Sequence, residues 1–543
     1  MKEKLISLSS TAGVSSITSG SSNLTNFNKK VISNPLNVCL IKIPTFEAPQ
    51  SLSYFNSVPN LGLAYISGAI REAGHNIQII DGPGENINKY SYFTTEIGKL
   101  WAHGLTKDEI VEKINPNTNV IGITNMFLHE WEFIYQIVKL IKKKYPNITI
   151  VAGGETATAW WSYMLEKSAE LDICVIGEGE DAIVKLLDIL SKGESLEKAG
   201  SIAFKKNGKI ITTERIQRIK NINDISLPAW DLFPVDAYLN HEFGSGVNRG
   251  RSMPMLSSRG CPFQCTFCSS PSMWTTRYFA REPNKVADEI EFYQKRYDVN
   301  NINFNDLTAV LTKKWIVEFC NVIEDRKLKF SWQLPSGTRS EAVDLEAAKL
   351  LYKSGCRNFG YAPESGSPRI LNKIKKKVKI EGLISSLKSS LKAKLMTHAN
   401  FIIGFPDEKL SDLFNTYKLL IKMAWIGLHG VSIMMFSPYP GSALYVELKN
   451  QNKIKIDKGY MYSTLSRSGA STISYSNIFG TRFLIITQWV FLLSFFTLMY
   501  ALRPIRIIRA LTNIFKKKQE TIMDQFLIEK YKQIKRFINI KFI

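Results

Sequence analysis

Apolar residues recur along this chain in two alternating rhythms. Short runs such as NVCLIKI (37–43), NIQIID (76–81), VIGIT (120–124), ITIVAGG (148–154) and ICVIGEGE (173–180) suit strands buried on both faces. Between them, LGLAYISGAIREAG (61–74) and WEFIYQIVKLIKKKYP (131–146) carry apolar residues at helical spacing. The first ends at Gly74, a natural C-cap, and the second gathers its basic residues at its C-terminal end, where the helix dipole favours them. This alternation predicts an α/β fold, a doubly wound (Rossmann-like) parallel sheet over 37–195, with ligands at the carboxyl ends of its strands. Those ends carry TNM (124–126), GG (153–154) and GEGE (177–180), and glycine there lets a bulky ligand approach the backbone. Taken alone, these are also ordinary turn glycines.

Residues 196–250 form a linker that holds a hairpin, SIAFKKNGKIITTE (201–214), turning at Asn207-Gly208. From 251 to 445 the strand–helix rhythm resumes: MLSSRG (255–260), INFNDL (302–307), FSWQLPSGTR (330–339), NFGYAPESG (358–366), ANFIIGFP (399–406) and VSIMMFSPYPG (431–441). Six such segments predict a partial (β/α)6 barrel, whose site sits at the C-terminal strand ends, and Asp306, Arg339 and Glu364 lie at or near those ends.

Composition changes the picture in three ways. A chain of 543 residues is too long for one core. Its first 36 residues, rich in Ser, Thr and Asn, read as a disordered leader without the apolar stretch of a signal peptide, so a reducing cytoplasm is expected. The formal net charge is +22, and residues 440–543 carry 17 Lys/Arg against 5 Asp/Glu. Such a surface suits an anionic partner; without an aromatic-basic recognition motif, nucleic acid is not expected and a membrane surface is.

The C-terminal region, 446–543, also holds FLIITQWVFLLSFFTLMYAL (483–502), twenty residues without a charge. At about 1.5 Å per residue it is long enough to cross a bilayer. A single crossing would export RPIRIIRALTNIFKKK (503–518), against the positive-inside rule. The expectation is therefore a helical region lying in, or re-entrant at, the cytoplasmic face of a membrane. The alternative is a buried helix packed on the barrel.

Three of the seven cysteines fall within SSRGCPFQCTFCSS, at Cys261, Cys265 and Cys268. Structural zinc takes four ligands, usually as two paired knuckles, and His241 and Cys320 are distant from this loop in sequence. A cubane [4Fe–4S] cluster on three thiolates keeps one iron open for another ligand.

The CxxxCxxC spacing, with Phe267 before the last cysteine, resembles the signature of the radical S-adenosylmethionine (SAM) superfamily. INFNDL, PSGTR, YAPESGS and NFIIGFPDE resemble the motifs of its second to fifth strands. The resemblance implies a [4Fe–4S] cluster on Cys261, Cys265 and Cys268, with SAM beside Phe267, Asp306, Arg339, Glu364, Ser365 and Gly404. PNLGLAYISGAIREAGHNIQIID, with TNM and GG downstream, resembles the cobalamin-binding domains fused to such barrels. That similarity implies cobalamin near Thr124, Met126, Gly153, Gly154, Gly179 and Glu180. The DxHxxG motif, whose histidine ligates cobalt in other cobalamin proteins, does not occur here, and His75 and His129 lack its flanking pattern.

The implied chemistry is reductive cleavage of SAM to a 5′-deoxyadenosyl radical, fed by a one-electron donor such as a flavodoxin or ferredoxin. Methylcobalamin then methylates carbon in a hydrophobic or membrane-derived substrate. Radical oxidation, cyclisation or carbon–carbon bond formation with the same cofactors is the alternative. A non-catalytic, membrane-bound metal protein is the alternative of another class. Methylthiotransferases fit less well, because Cys39 and Cys174 cannot supply their additional cysteine triplet.

Overall fold

The structure is a computed structural model that describes residues 32–48, 57–95, 98–309, 312–338, 342–465, 472–528 and 530–531. Most of the leader and Arg339 lie outside the described residues.

The N-terminal sheet has seven strands in the order Lys209–Thr212, Ile202–Lys206, Ile173–Val175, Thr149–Gly153, Val120–Thr124, Asn37–Lys42, Asn76–Asp81. The last five are parallel. All five residues of Val120–Thr124 are buried, as a central strand covered by helices on both faces requires. The chain fills one side of Asn37–Lys42 with its second parallel strand and the other side with its third. That reversal opens a crevice above the carboxyl ends of Asn37–Lys42 and Val120–Thr124, the place where open α/β sheets bind ligands. The hairpin after residue 200 pairs antiparallel with Ile173–Val175, so the sheet continues to Thr212 within the segment read as linker. Asn207 (φ 50°) and Gly208 (φ 74°) supply the two positive φ values of its turn. A second, three-stranded antiparallel sheet of Thr45–Glu47, Gly98–His103 and Tyr90–Thr95 flanks this domain and was not foreseen from the sequence.

The second domain is a six-stranded parallel sheet in chain order: Ser252–Met255, Asn301–Phe304, Ser331–Thr338, Cys356–Glu364, Met396–Ile403, Gly430–Met435. Among the described residues its first and sixth strands do not pair, so the barrel is open. Phe304, Phe319 and Trp332 pack edge to face between strand and helix, and Phe359, Tyr361 and Phe401 are fully buried. At the opposite end, Asn358 Nδ2 and Arg249 Nη2 both donate to the Glu520 carbonyl (3.0 and 3.1 Å), which fastens the C-terminal segment across the amino ends of the strands.

The apolar C-terminal stretch forms one helix, Thr481–Leu502, running parallel to Leu410–Ile426 along the barrel side, with Tyr417 against Phe491 at mid-length and Arg503 at the end of both. It buries Leu484, Gln488, Phe491, Phe495 and Met499, one stripe at three- and four-residue spacing. Gln488 Nε2 donates to the Ile433 carbonyl of the sixth strand at 2.6 Å. Arg503 donates to the carbonyls of Ala424 and Trp425, and Arg506 to those of Gly427 and Leu428, satisfying the C-terminus of the neighbouring helix. The helix is long and apolar enough to cross a membrane, yet one face packs on the barrel wall, as in the buried-helix alternative, while its outer face stays exposed.

Candidate active site

The cysteine loop leaves the barrel after Ser258–Arg259 and ends at the short helix Ser270–Trp274. Its three thiols are partly exposed, whereas Cys39, Cys174, Cys320 and Cys356 are buried in the cores. Cys268 N bonds the Cys265 carbonyl (3.1 Å), and Thr266 N bonds the Ile374 carbonyl (3.0 Å), which shapes the loop. Thr308 Oγ1 donates to Cys261 Sγ at 3.6 Å. Burial pushes the Cys265 thiol up to about 11. Three adjacent thiolates therefore need strong positive charge, which iron supplies. With no fourth thiol on the loop, the donor set fits a cluster that keeps one iron open.

Around this loop the sequence-predicted residues take different roles. Asp306, fully buried, accepts from Ser257 N (3.0 Å), Ser257 Oγ (2.9 Å) and Ser258 Oγ, and so anchors the segment three residues before Cys261. Desolvation raises its pKa to about 6 against the pull of those donors. Phe267 meets Phe405 edge to face at 5.9 Å, tying the loop to the fifth strand end. Glu364 stands at φ 63°, a left-handed conformation that costs a non-glycine residue about 1–2 kcal/mol, and its carboxylate pairs with Lys376 Nζ at 2.8 Å. Ser365 turns inward to Thr416 Oγ1 (3.0 Å). Gly404, at φ 83°, has Leu484 of the C-terminal helix so close that a Cβ would lie 2.6 Å from its Cδ1.

Lys376 and Glu408 escaped the sequence reading. Lys376 lies in a run of lysines that looks like solvated surface, and Glu408 was quoted within GFPDE without being singled out. Glu408 is buried beneath Gly404, whose N–H it accepts at 2.5 Å, and desolvation pushes its pKa up to about 8. A carboxyl with a folded pKa above its unfolded value, here 4.5, binds its proton more tightly when folded. The stability it supports is therefore full below about pH 4.5 and lost as pH rises through about 8. Thermal melts across that window should show the wild-type midpoint falling, and Glu408→Gln should remove most of that slope, on the order of a few kcal/mol.

At the carboxyl ends of the N-terminal sheet, Thr124 is buried, and Met126 and Phe127 are exposed. Glu130 accepts the N–H groups of Met126 and Phe127 (2.9 and 3.0 Å) and pairs with Lys42 at 3.5 Å, which shapes this loop beside the crevice. Gly154, at φ 113°, lies so close to the Asn125 carbonyl that a Cβ would be 2.7 Å from its oxygen. Thr156 Oγ1 donates to the Met126 carbonyl, so the loops carrying TNM and GG are stitched together. His75 Nδ1 accepts from Leu36 N at the amino ends, far from this crevice. His129 stacks on Phe127 at 5.6 Å.

Gly179 and Glu180, expected beside cobalamin, have contacts of their own within the chain. A Cβ on Gly179 would lie 2.6 Å from Ile66 of the helix Leu61–Glu72, so the glycine is needed for helix packing. Glu180 is buried in an ion pair with Arg259 (2.5 Å), two residues before Cys261. Glu178 pairs with Arg259 (3.5 Å) and with Arg218 (3.2 Å), and Arg218 also donates to the carbonyls of Trp274 (2.7 Å) and Arg277 (2.6 Å). On the other side, Ser269 Oγ donates to Glu155, the residue after Gly154. Both arms of the cysteine loop are thereby fixed to the carboxyl ends of the N-terminal sheet. Partners this distant in sequence leave no local signal.

An open parallel barrel with a three-thiol loop, bonded to the ligand-binding end of a doubly wound sheet, defines an α/β enzyme with two cofactor stations in one site. Residues 52–187 match the B12 binding domain family, and residues 255–420 match the radical SAM superfamily. The chain is 30% identical over 406 residues to an uncharacterized methyltransferase of Pyrococcus horikoshii, covering 75% of this chain and 82% of that one. It is 25% identical over 405 residues to the anaerobic magnesium-protoporphyrin IX monomethyl ester cyclase of Cereibacter sphaeroides, covering 73% of this chain and 61% of the cyclase. The solved radical SAM methyltransferase TsrM from Kitasatospora setae shares the fold, with a TM-score of 0.55 at 15% identity over 76% of each chain. The protein belongs to the cobalamin-dependent radical SAM methyltransferase family. Its cofactors are cobalamin, a [4Fe–4S] cluster and SAM.

Proposed function

We propose that the enzyme methylates a carbon of a hydrophobic, membrane-derived substrate at the cytoplasmic face of a membrane, with SAM as methyl source and cobalamin as methyl carrier. The observation that carries this reading is the junction itself: the Ser269–Glu155 bond and the Arg259–Glu180 pair hold the cysteine loop against the cobalamin-binding end of the N-terminal sheet. When bound, the cluster and SAM supply a one-electron route to a carbon radical, and cobalamin supplies a transferable methyl group.

The chain's own residues hold and orient. Cys261, Cys265 and Cys268 ligate three irons, while Asp306 fixes the loop through Ser257 and Ser258. Glu364 and Lys376 offer one anion and one cation to the zwitterionic end of SAM, with Arg339 as a further cation for its carboxylate. Gly404, the glycine of the fifth-strand motif, is the further position proposed beside SAM, and Leu484 fills the space where its side chain would be. Thr124, Met126, Gly153 and Gly154 line the crevice proposed for cobalamin. An acidic flavodoxin or ferredoxin is the proposed electron donor, and a cavity of about 480 Å³ lined by Pro262, Phe263, Gln264, Lys375, Lys376 and Lys377 supports its approach beside the loop. The exposed apolar flank of the barrel supports a hydrophobic substrate.

Similarity to the cyclase favours a second reading, radical cyclisation without methyl transfer. Anaerobic turnover with methyl-labelled SAM on a lipid extract separates the two. Label in an extractable lipid product is expected; SAM cleavage that leaves every product unlabelled would support cyclisation instead.

A further inference from the structure

Three helices of the barrel domain expose a large apolar surface away from the cysteine loop. Thr481–Leu502 turns Phe483, Ile486, Trp489, Val490 and Leu493 to solvent, with Ile486 at 63% and Leu493 at 61% exposure. Only 28% of its most apolar stretch is buried. Its parallel neighbour Leu410–Ile426 exposes Leu410, Phe414 and Trp425, the last at 64%. Beyond the Arg503-Pro504 step, Ile505–Phe515 exposes Ile505, Ile508, Leu511 and Phe515, the last at 86%. A patch on this scale exceeds what soluble monomers leave uncovered without a function.

Charge decides what covers it. Within these three helices Asp412 is the only acidic residue, and it is buried in its pairing with Arg369. Exposed cations are interleaved with the apolar residues: Lys418, whose Nζ lies 4.5 Å from the Phe414 ring, Lys422 and Arg482. Lys516 and Lys517 follow, exposed, at the end of the third helix, while Lys518 pairs with Glu520 at 2.8 Å. A second copy would bring this same cationic face against itself. The chain's own residues 532–543 carry four further Lys/Arg and no acid, so they are repelled too. A surface at once apolar and anionic meets both demands.

We propose that this flank docks in the plane of an anionic lipid bilayer. The two parallel helices lie along the headgroup boundary, and the lysine-tipped third helix engages lipid phosphates. The inference extends the hydrophobic-substrate proposal by naming the surface at which that substrate is met. Its evidence is independent of the chemistry.

Sedimentation of the full chain with vesicles tests it, using phosphatidylcholine with and without phosphatidylglycerol. Binding is expected only with the anionic lipid, and it should weaken in high salt. Lys516→Ala with Lys517→Ala should lower partitioning by about tenfold or more, and Ile486→Ser with Leu493→Ser by about as much. SAM cleavage in lipid-free solution should be unchanged in both double variants, so loss of docking is distinguishable from loss of the catalytic reading. Failure of the full chain to bind anionic vesicles would overturn the proposal. So would a dimer that Ile486→Ser with Leu493→Ser dissolves, or binding that appears only after residues 532–543 are removed.

Discussion

Replacing Cys265 by serine should abolish iron–sulfur absorbance and cut SAM cleavage by more than about 1,000-fold, beyond the 10–100-fold typical of outer-shell partners. A hydroxyl cannot serve as the soft thiolate that iron requires, and two sulfurs cannot hold a cubane with one open iron. No other cysteine can take its place. Cys39 and Cys174 are buried in strands of the N-terminal sheet, Cys320 on the helix Lys313–Asp325, and Cys356 begins its strand at the opposite end of the barrel. Burial pushes the Cys320 thiol up to about 11 and the Cys39 thiol to about 12. The control Cys320→Ala should therefore keep both iron content and cleavage. Iron analysis and anaerobic spectra read the difference, and full iron content in Cys265→Ser would remove the thiol from the ligand set.

Arg259→Met should destabilise the chain by about 3–5 kcal/mol, because it strands buried carboxylates. Glu180 would lose its closest cation and Glu178 one of two, while the stacking of the guanidinium over Tyr65 at 4.9 Å would also be lost. Adding Glu180→Leu should recover much of the loss, since the uncompensated charge is then gone. Thermal melts of the single and double variants measure this. The double variant carries a second readout: with the Arg259 tie gone and the Ser269–Glu155 bond and the Arg218 bridge left to hold the loop, SAM cleavage should persist while methyl transfer per cleavage falls. An unchanged ratio would make the ion pair purely structural.

The sequence disclosed those features whose signal is local. Continuous apolar runs such as VIGIT mark strands buried on both faces, and the spacing of Cys261, Cys265 and Cys268 marks a metal loop. Pairings between distant segments were not legible. Glu180 stands in a glycine-rich turn that looks like a ligand contact, and only the fold shows that Arg259, 79 positions away, claims its carboxylate. The hairpin after residue 200 was visible from Asn207-Gly208, but its pairing with Ile173–Val175 depends on which edge of the sheet lies open. Residues 483–502 show in the sequence as an uncharged stretch of helix length. Composition could not reveal that one stripe, centred on Gln488 and Phe491, seals the barrel while the other faces outward.

Cofactor content of the chain purified anaerobically with cobalamin supplied tests the pairing of the two stations most directly. About four irons and one corrinoid per chain are predicted, with loss of iron alone in Cys265→Ser. A chain that binds zinc in place of iron, or that retains its cluster and never takes up corrinoid, would contradict it.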